Sequence, residues 1–126
     1  MLELTINGQV YEFNFGMGFM REVNKKLQKP IDGIKDAKEN IGLQYMVAGI
    51  ISKDVEMLVD VLDAANRGNT PRVTKMLLDE YIDNEDTDIE ALFETVLDFL
   101  KNTNATKSVT LSLLEAVEKE KAKQNQ

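Results

Sequence analysis

The densest group of side chains that could do chemistry is a run of carboxylates between Asp79 and Asp98, which contains no lysine or arginine. Residues 83–94 have the length of a calcium-binding loop, with acids at the first and last positions. Such a loop needs glycine at its sixth position for a sharp turn, and this chain has Asp88 there. We therefore expect no metal site, and expect the acids to form a solvated loop and a helix N-terminus, where carboxylates complement the helix dipole.

Groups suited to catalysis are scarce in this chain. It has no cysteine and no histidine, so it lacks a thiolate nucleophile and the usual general base at neutral pH. Its serines do not lie in a Gly-x-Ser-x-Gly turn, and Gly16 and Gly18 are not followed by the Gly-Lys-Ser/Thr of a phosphate-binding loop. The sequence thus predicts a protein with no catalytic residues, no metal ligands and no cofactors, which is not an enzyme.

Length and composition indicate one globular domain of 126 residues, of which 43% are hydrophobic and 29% charged. The chain has 15 lysine and arginine residues against 22 aspartate and glutamate residues, and the net charge of -7 disfavours binding to a phosphate backbone. The longest apolar run, from Met46 to Ile51, is too short to cross a bilayer, and the N-terminus does not have the pattern of a signal peptide. We expect a cytoplasmic protein that binds neither nucleic acid nor membrane.

Residues 1–15 have the pattern of a β-hairpin. Apolar and polar residues alternate on both sides of Asn7-Gly8, a dipeptide that favours a two-residue type I′ turn. The register that follows from this turn pairs Leu4 with Tyr11 and Leu2 with Phe13. One face of the hairpin is then apolar, and an isolated hairpin is only marginally stable in water. We therefore expect Leu4 and Phe13 to face the helices that follow.

The rest of the chain has apolar residues at the three- and four-residue spacing of amphipathic helices. We interpret residues 31–42 as a loop or a broken helix. Thr70-Pro71 is interpreted as an N-cap followed by proline at the first helical position. Thr87 and Glu90 are interpreted as a capping box that opens the next helix.

These elements predict an α+β fold that is mostly α, with an N-terminal β-hairpin packed on a small bundle of about five to six helices. A single domain would cover residues 1–118, with the hairpin at 1–15 and the helical body at 17–118. Residues 119–126 are almost entirely polar or charged, so we expect them to form a flexible charged tail.

The chain resembles the tail assembly chaperones of long-tailed (siphovirus-type) phages or prophages of Gram-positive bacteria. The likeness covers most of the chain and is strongest over residues 4–24 and 82–100. Its features are an Asn-Gly hairpin, a Phe-Gly-x-x-Phe corner from strand to helix, a helix beginning at Gly42-Leu43, an acidic helical body and a charged C-terminus. The segments that carry the likeness read LTINGQVYEFNFGMGFMREVNKKL and IDNEDTDIEALFETVLDFLKN.

This resemblance implies a non-enzymatic chaperone that binds the tape measure protein in the bacterial cytoplasm and keeps it soluble during tail assembly. Such chaperones are absent from the mature virion. The resemblance also implies the tail-tube protein and a longer, frameshifted form of the chain itself as further partners, and we expect that the chain can self-associate. It carries over no catalytic residues.

Two alternatives stay open. The acids of residues 79–98 also suit an acidic inhibitor or DNA-mimic phage protein, whose binding would weaken steeply as salt rises. A virion head–tail structural protein is the other alternative, and it would be detected by mass spectrometry of purified particles.

We expect the partner-binding surface on the last two helices. The helix that starts near Asp88 has a wider apolar arc than one core contact needs. The C-terminal helix has few apolar residues with which to pack on the rest of the protein. We therefore hypothesise that it is easily displaced and acts as a gate over that arc. The expected partner-binding residues are Phe93, Leu97, Leu100, Leu111, Leu114 and Val117.

Overall fold

The computed structural model describes residues 1–124. It confirms the predicted fold class, since an N-terminal hairpin is followed by six helices. The elements in chain order are β1 (Leu2–Ile6), β2 (Gln9–Phe13), α1 (Met17–Asn24), β3 (Gln28–Pro30), β4 (Lys38–Asn40), α2 (Gly42–Ile51), α3 (Val55–Asn66), α4 (Lys75–Asp83), α5 (Ile89–Asn102) and α6 (Lys107–Gln124).

The N-terminal hairpin has the predicted register. Leu2 pairs with Phe13 and Leu4 with Tyr11 across antiparallel β1 and β2. Asn7 and Gly8 have φ angles of 52° and 77°, as a type I′ turn requires. Phe13 is fully buried and Leu4 is partly buried against the core, so the apolar face of the hairpin lies on the helices as predicted.

The connector after α1 differs from the prediction. The sequence indicated only helix and loop after the first hairpin, but β3 and β4 form a second two-stranded antiparallel sheet. Its three residue pairs are Gln28 with Asn40, Lys29 with Glu39, and Pro30 with Lys38. All six residues are exposed, so the strands have no apolar alternation by which they could be recognised. Their cross-strand contacts are polar, including a Lys29–Glu39 ion pair at 3.0 Å.

Two predicted helix starts are wrong. The Thr70-Pro71 peptide bond is cis, and α4 begins later, after Thr74, whose hydroxyl oxygen accepts a hydrogen bond from the Leu77 N–H at 3.1 Å. The cap of α5 is Asp88, which accepts from the Ala91 N–H at 3.0 Å. Thr87, the predicted cap, instead donates its hydroxyl to the Tyr81 carbonyl at 2.7 Å. Several residues in each segment could cap a helix, and packing selects one of them.

One apolar core joins the hairpin to the helices. Phe15, at the corner between β2 and α1, meets Phe19 edge-on with ring centroids 5.3 Å apart, and stacks on Phe99 of α5 at 5.8 Å. The buried core residues come from the first hairpin, from α1, α2, α3, α4 and α5, and from Phe15 and Val73 in the connecting segments.

Helix α6 packs on α2 and α5 through its N-terminal half. Thr110 is buried there, and Val109 and Leu113 pack on the core, whereas every described residue from Glu118 onward is exposed. The helix nevertheless continues to Gln124, so residues 119–124 of the expected flexible tail have helical backbone, and residues 125–126 lie outside the described part. No helix within residues 1–124 is long and apolar enough to span a membrane.

Candidate functional site

An apolar groove of about 660 Å³ lies along α2. We call it the α2 groove. It is lined by α2, by the start of α3, by Leu113 of α6, and by Lys29 of β3 and Glu39 of β4. We call the Met57 side chain of α3, which packs on Gly49 of α2, the floor of the groove. Its apolar lining consists of Ile41, Tyr45, Ala48, Gly49, Met57 and Leu113.

Helix periodicity explains why α2 has one side in the core and another in the groove. Leu43, Met46, Val47 and Ile50 are buried at three- and four-residue spacing. Ile41, Tyr45 and Ala48 follow the same spacing on the groove side. Tyr45 is 60% exposed, which leaves most of a large aromatic side chain uncovered.

Gly49 brings the groove floor close to the α2 backbone. A Cβ atom at this position would lie 2.4 Å from Cγ of Met57, so only glycine lets the Met57 side chain pack directly on the helix. Methionine is unbranched and polarizable, and it adapts its shape to irregular partners. The floor is therefore apolar and deformable.

The charges at the rim of the groove are paired or engaged in helix capping. Lys29 and Glu39 form an ion pair at 3.0 Å. The Asp54 carboxylate caps α3 by accepting a hydrogen bond from the Met57 N–H at 3.1 Å. The groove is thus suited to bury apolar side chains of a partner rather than to bind a charged ligand.

The structure does not bring the six predicted partner-binding residues together into one open patch. Phe93 and Leu100 of α5 are buried in the core, and Leu97 packs partly buried against it. On α6, Leu111 is 50% exposed, whereas Leu114 and Val117 are partly buried. Sequence reasoning missed Tyr45, an exposed aromatic residue of the groove lining. The sequence does contain a signal for it. Ile41, Tyr45 and Ala48 form a second row at helical spacing beside the row of α2 that packs in the core, so core packing does not account for an aromatic residue there.

The acidic segment, from Asp79 to Asp98, spans the second half of α4, the following turn and most of α5. Asp83 is the last residue of α4, and Glu94 lies within α5, so residues 83–94 do not form a continuous loop. In residues 1–124, no group of three or more His, Cys, Asp or Glu side chains is arranged to hold a metal ion.

Comparisons with known proteins place this architecture in a family. No curated protein and no solved structure matches the chain. The family model described as phage tail assembly chaperone protein, TAC, matches residues 3–115, which run from β1 into the first half of α6. Since the match covers both hairpins, helices α1 to α5 and the α2 groove, the chain belongs to the phage tail assembly chaperone family.

Proposed function

We propose that this chaperone binds the tape measure protein of its phage and keeps it soluble until tail-tube subunits polymerise around it. Family membership supports a role in tail assembly. The proposed function needs reversible binding in the host cytoplasm and no catalysis, and the chaperone would be absent from the finished particle. We retain a Gram-positive host as a prediction.

The observation that supports this proposal best is the α2 groove. Amphipathic helices are recognised when their apolar face lies in a hydrophobic groove, with anchors at three- and four-residue spacing. Tyr45, Met57 and Leu113 provide aromatic, flexible and aliphatic surface for such anchors. The net charge of -7 would keep a loaded complex soluble while these residues are covered.

We further propose that α6 is the movable wall of the groove. Leu113 of α6 lines the groove, yet every described residue of this helix from Glu118 onward is exposed and makes no contribution to the core. Elements with few buried apolar contacts open at the lowest free energy. Displacing α6 would enlarge the groove toward α5, which carries Phe93, Leu97 and Leu100.

Co-expression with the tape measure protein tests the proposal. Tyr45→Asp places a charge in the groove at a 60% exposed position, so it should leave the fold intact and abolish solubilisation of the partner. Met17→Asp is the matched control, because Met17 is also exposed, at 45%, and lies at the start of α1 outside the groove. Circular dichroism of both variants establishes that they are folded.

Equal solubilisation by Tyr45→Asp and wild type would exclude the α2 groove as the binding site. The movable wall is tested separately by Leu114→Asp with Val117→Asp, and unchanged affinity in a folded double variant would exclude it. Partner binding that falls steeply with salt would favour an acidic inhibitor, and recovery of the chain from purified particles would favour a virion structural protein.

A further inference from the structure

A second groove, of about 400 Å³, lies between α3 and α4, and nothing in the proposed function uses it. We call it the α3–α4 groove. It has an apolar floor and walls of carboxylates. Its lining contains Val55, Glu56, Val59, Asp60, Asp79 and Ile82, together with Lys75 and Asp83.

The floor of this groove has exposed apolar surface. Val55 and Val59 are one helical turn apart on α3, and Ile82 faces them from α4. Val59 is buried and Ile82 is partly buried, but Val55 is 43% exposed. The fold therefore leaves one end of this short aliphatic stripe, at Val55, open to solvent between two helices.

The walls of the groove have an excess of negative charge. Asp60 accepts a hydrogen bond from Lys75 at 2.9 Å, and this contact raises the pKa of Lys75. Glu56, Asp79 and Asp83 are exposed and form no ion pair with any of residues 1–124. Three uncompensated carboxylates thus surround the aliphatic floor.

We infer that the α3–α4 groove docks a cationic amphipathic helix of a partner protein. Aliphatic side chains of that helix would cover Val55 and Ile82, and flanking lysine or arginine residues would approach Glu56, Asp79 and Asp83. A purely cationic or a purely apolar partner satisfies only one of these two features, whereas a helix with both kinds of side chain complements the whole groove. This cationic helix differs from the partner that suits the α2 groove. The charged residues at the rim of the α2 groove already pair with each other or cap a helix, so that groove does not call for a charged partner.

The test uses synthetic helical peptides of about fifteen residues as probes. The first has leucines at three- and four-residue spacing and lysines elsewhere. The second keeps the leucines and replaces every lysine with glutamate. The third has the composition of the first in an order that gives no apolar face. We expect calorimetric titration to detect binding of the first peptide only, and to show weaker binding as salt rises from about 50 to 500 mM.

Substitutions in the α3–α4 groove test whether the lysine peptide binds there. Asp79→Asn with Asp83→Asn should weaken binding of the lysine peptide by about tenfold at low salt. The matched control, Glu118→Gln with Glu120→Gln, removes the same charge from exposed positions on α6 and should change affinity by less than about twofold. Val55→Ser should weaken binding at both salt concentrations, because it removes apolar contact rather than charge.

Equal losses in the two double variants would overturn the inference, since binding would then follow net charge alone. Binding of the glutamate peptide or of the shuffled peptide as tightly as the first would also overturn it, as would failure of the first peptide to bind. None of these results depends on the tape measure protein, so the inference can fail while the proposed function stands, and the reverse also holds.

Discussion

At the scale of single residues, Asn66 connects three parts of the fold. Its side chain is fully buried at the end of α3. The amide nitrogen donates to the carbonyl oxygens of Glu12 in β2, at 3.0 Å, and of Pro71, at 3.3 Å. The amide oxygen accepts from the Val73 N–H at 2.7 Å and from Arg72 at 2.8 Å. An amide is required because it both donates and accepts.

We predict that Asn66→Ala lowers the free energy of unfolding by about 2–4 kcal/mol, because several buried polar groups lose their partner at once. Asn104→Ala is the control, since Asn104 is exposed in the turn between α5 and α6 and its loss should cost less than about 0.5 kcal/mol. Urea denaturation measures both variants. Equal midpoints would show that the Asn66 hydrogen bonds contribute nothing net to stability.

At the scale of elements, the approach of α1 to α2 depends on Gly42. A Cβ atom at this position would lie 1.9 Å from the Val23 carbonyl oxygen, which belongs to the backbone and cannot rotate away. The same junction is joined by the Asn24 side chain, whose oxygen accepts from the Leu43 N–H at 2.9 Å. The start of α2 therefore lies directly against the end of α1.

Gly42→Ala should destabilise the protein by roughly 1–3 kcal/mol, because the two helices must separate to admit the methyl group. Gly18→Ala is the matched control within α1. A Cβ atom at Gly18 meets nothing within 4 Å, so alanine should stabilise by about 0.5–1 kcal/mol through its higher helix propensity. Thermal denaturation followed by circular dichroism compares the two. A stabilising effect of both substitutions would contradict the close approach of α1 and α2.

At the scale of the whole molecule, the first hairpin and the helical body share one core. Phe13 on β2 is fully buried within the same cluster as residues of α1 to α5. Val10 on the same strand is 44% exposed on the opposite face. A chain with one continuous core is expected to unfold as a unit.

Phe13→Ala should therefore lower the stability of the helices, although the residue lies in a strand. We expect a loss of about 3–5 kcal/mol, measured as a lower denaturation midpoint of the helical circular dichroism signal. Val10→Ala should change this midpoint by an amount that corresponds to less than about 1 kcal/mol. A helical midpoint that does not respond to Phe13→Ala would separate the hairpin from the core and favour a role for it in contacts between molecules.

The local sequence pattern was sufficient to predict the elements that contain a turn-forming dipeptide or a long run of apolar residues at helical spacing. The hairpin register followed from Asn7-Gly8 and strict alternation, and helices α2, α3 and α5 followed from apolar spacing. Strands β3 and β4 could not be predicted in this way, because their six residues are all exposed and polar contacts, rather than an apolar alternation, join the two strands.

The sequence by itself determined the order of the long elements, the first turn, and the resemblance to the family that the chain belongs to, because these depend on neighbouring residues. Only the tertiary structure decided which apolar surfaces stay open. Phe93 and Tyr45 both lie on apolar helices, yet Phe93 is buried and Tyr45 is 60% exposed. Burial depends on which distant segment packs over a residue, and helical spacing alone does not contain that information.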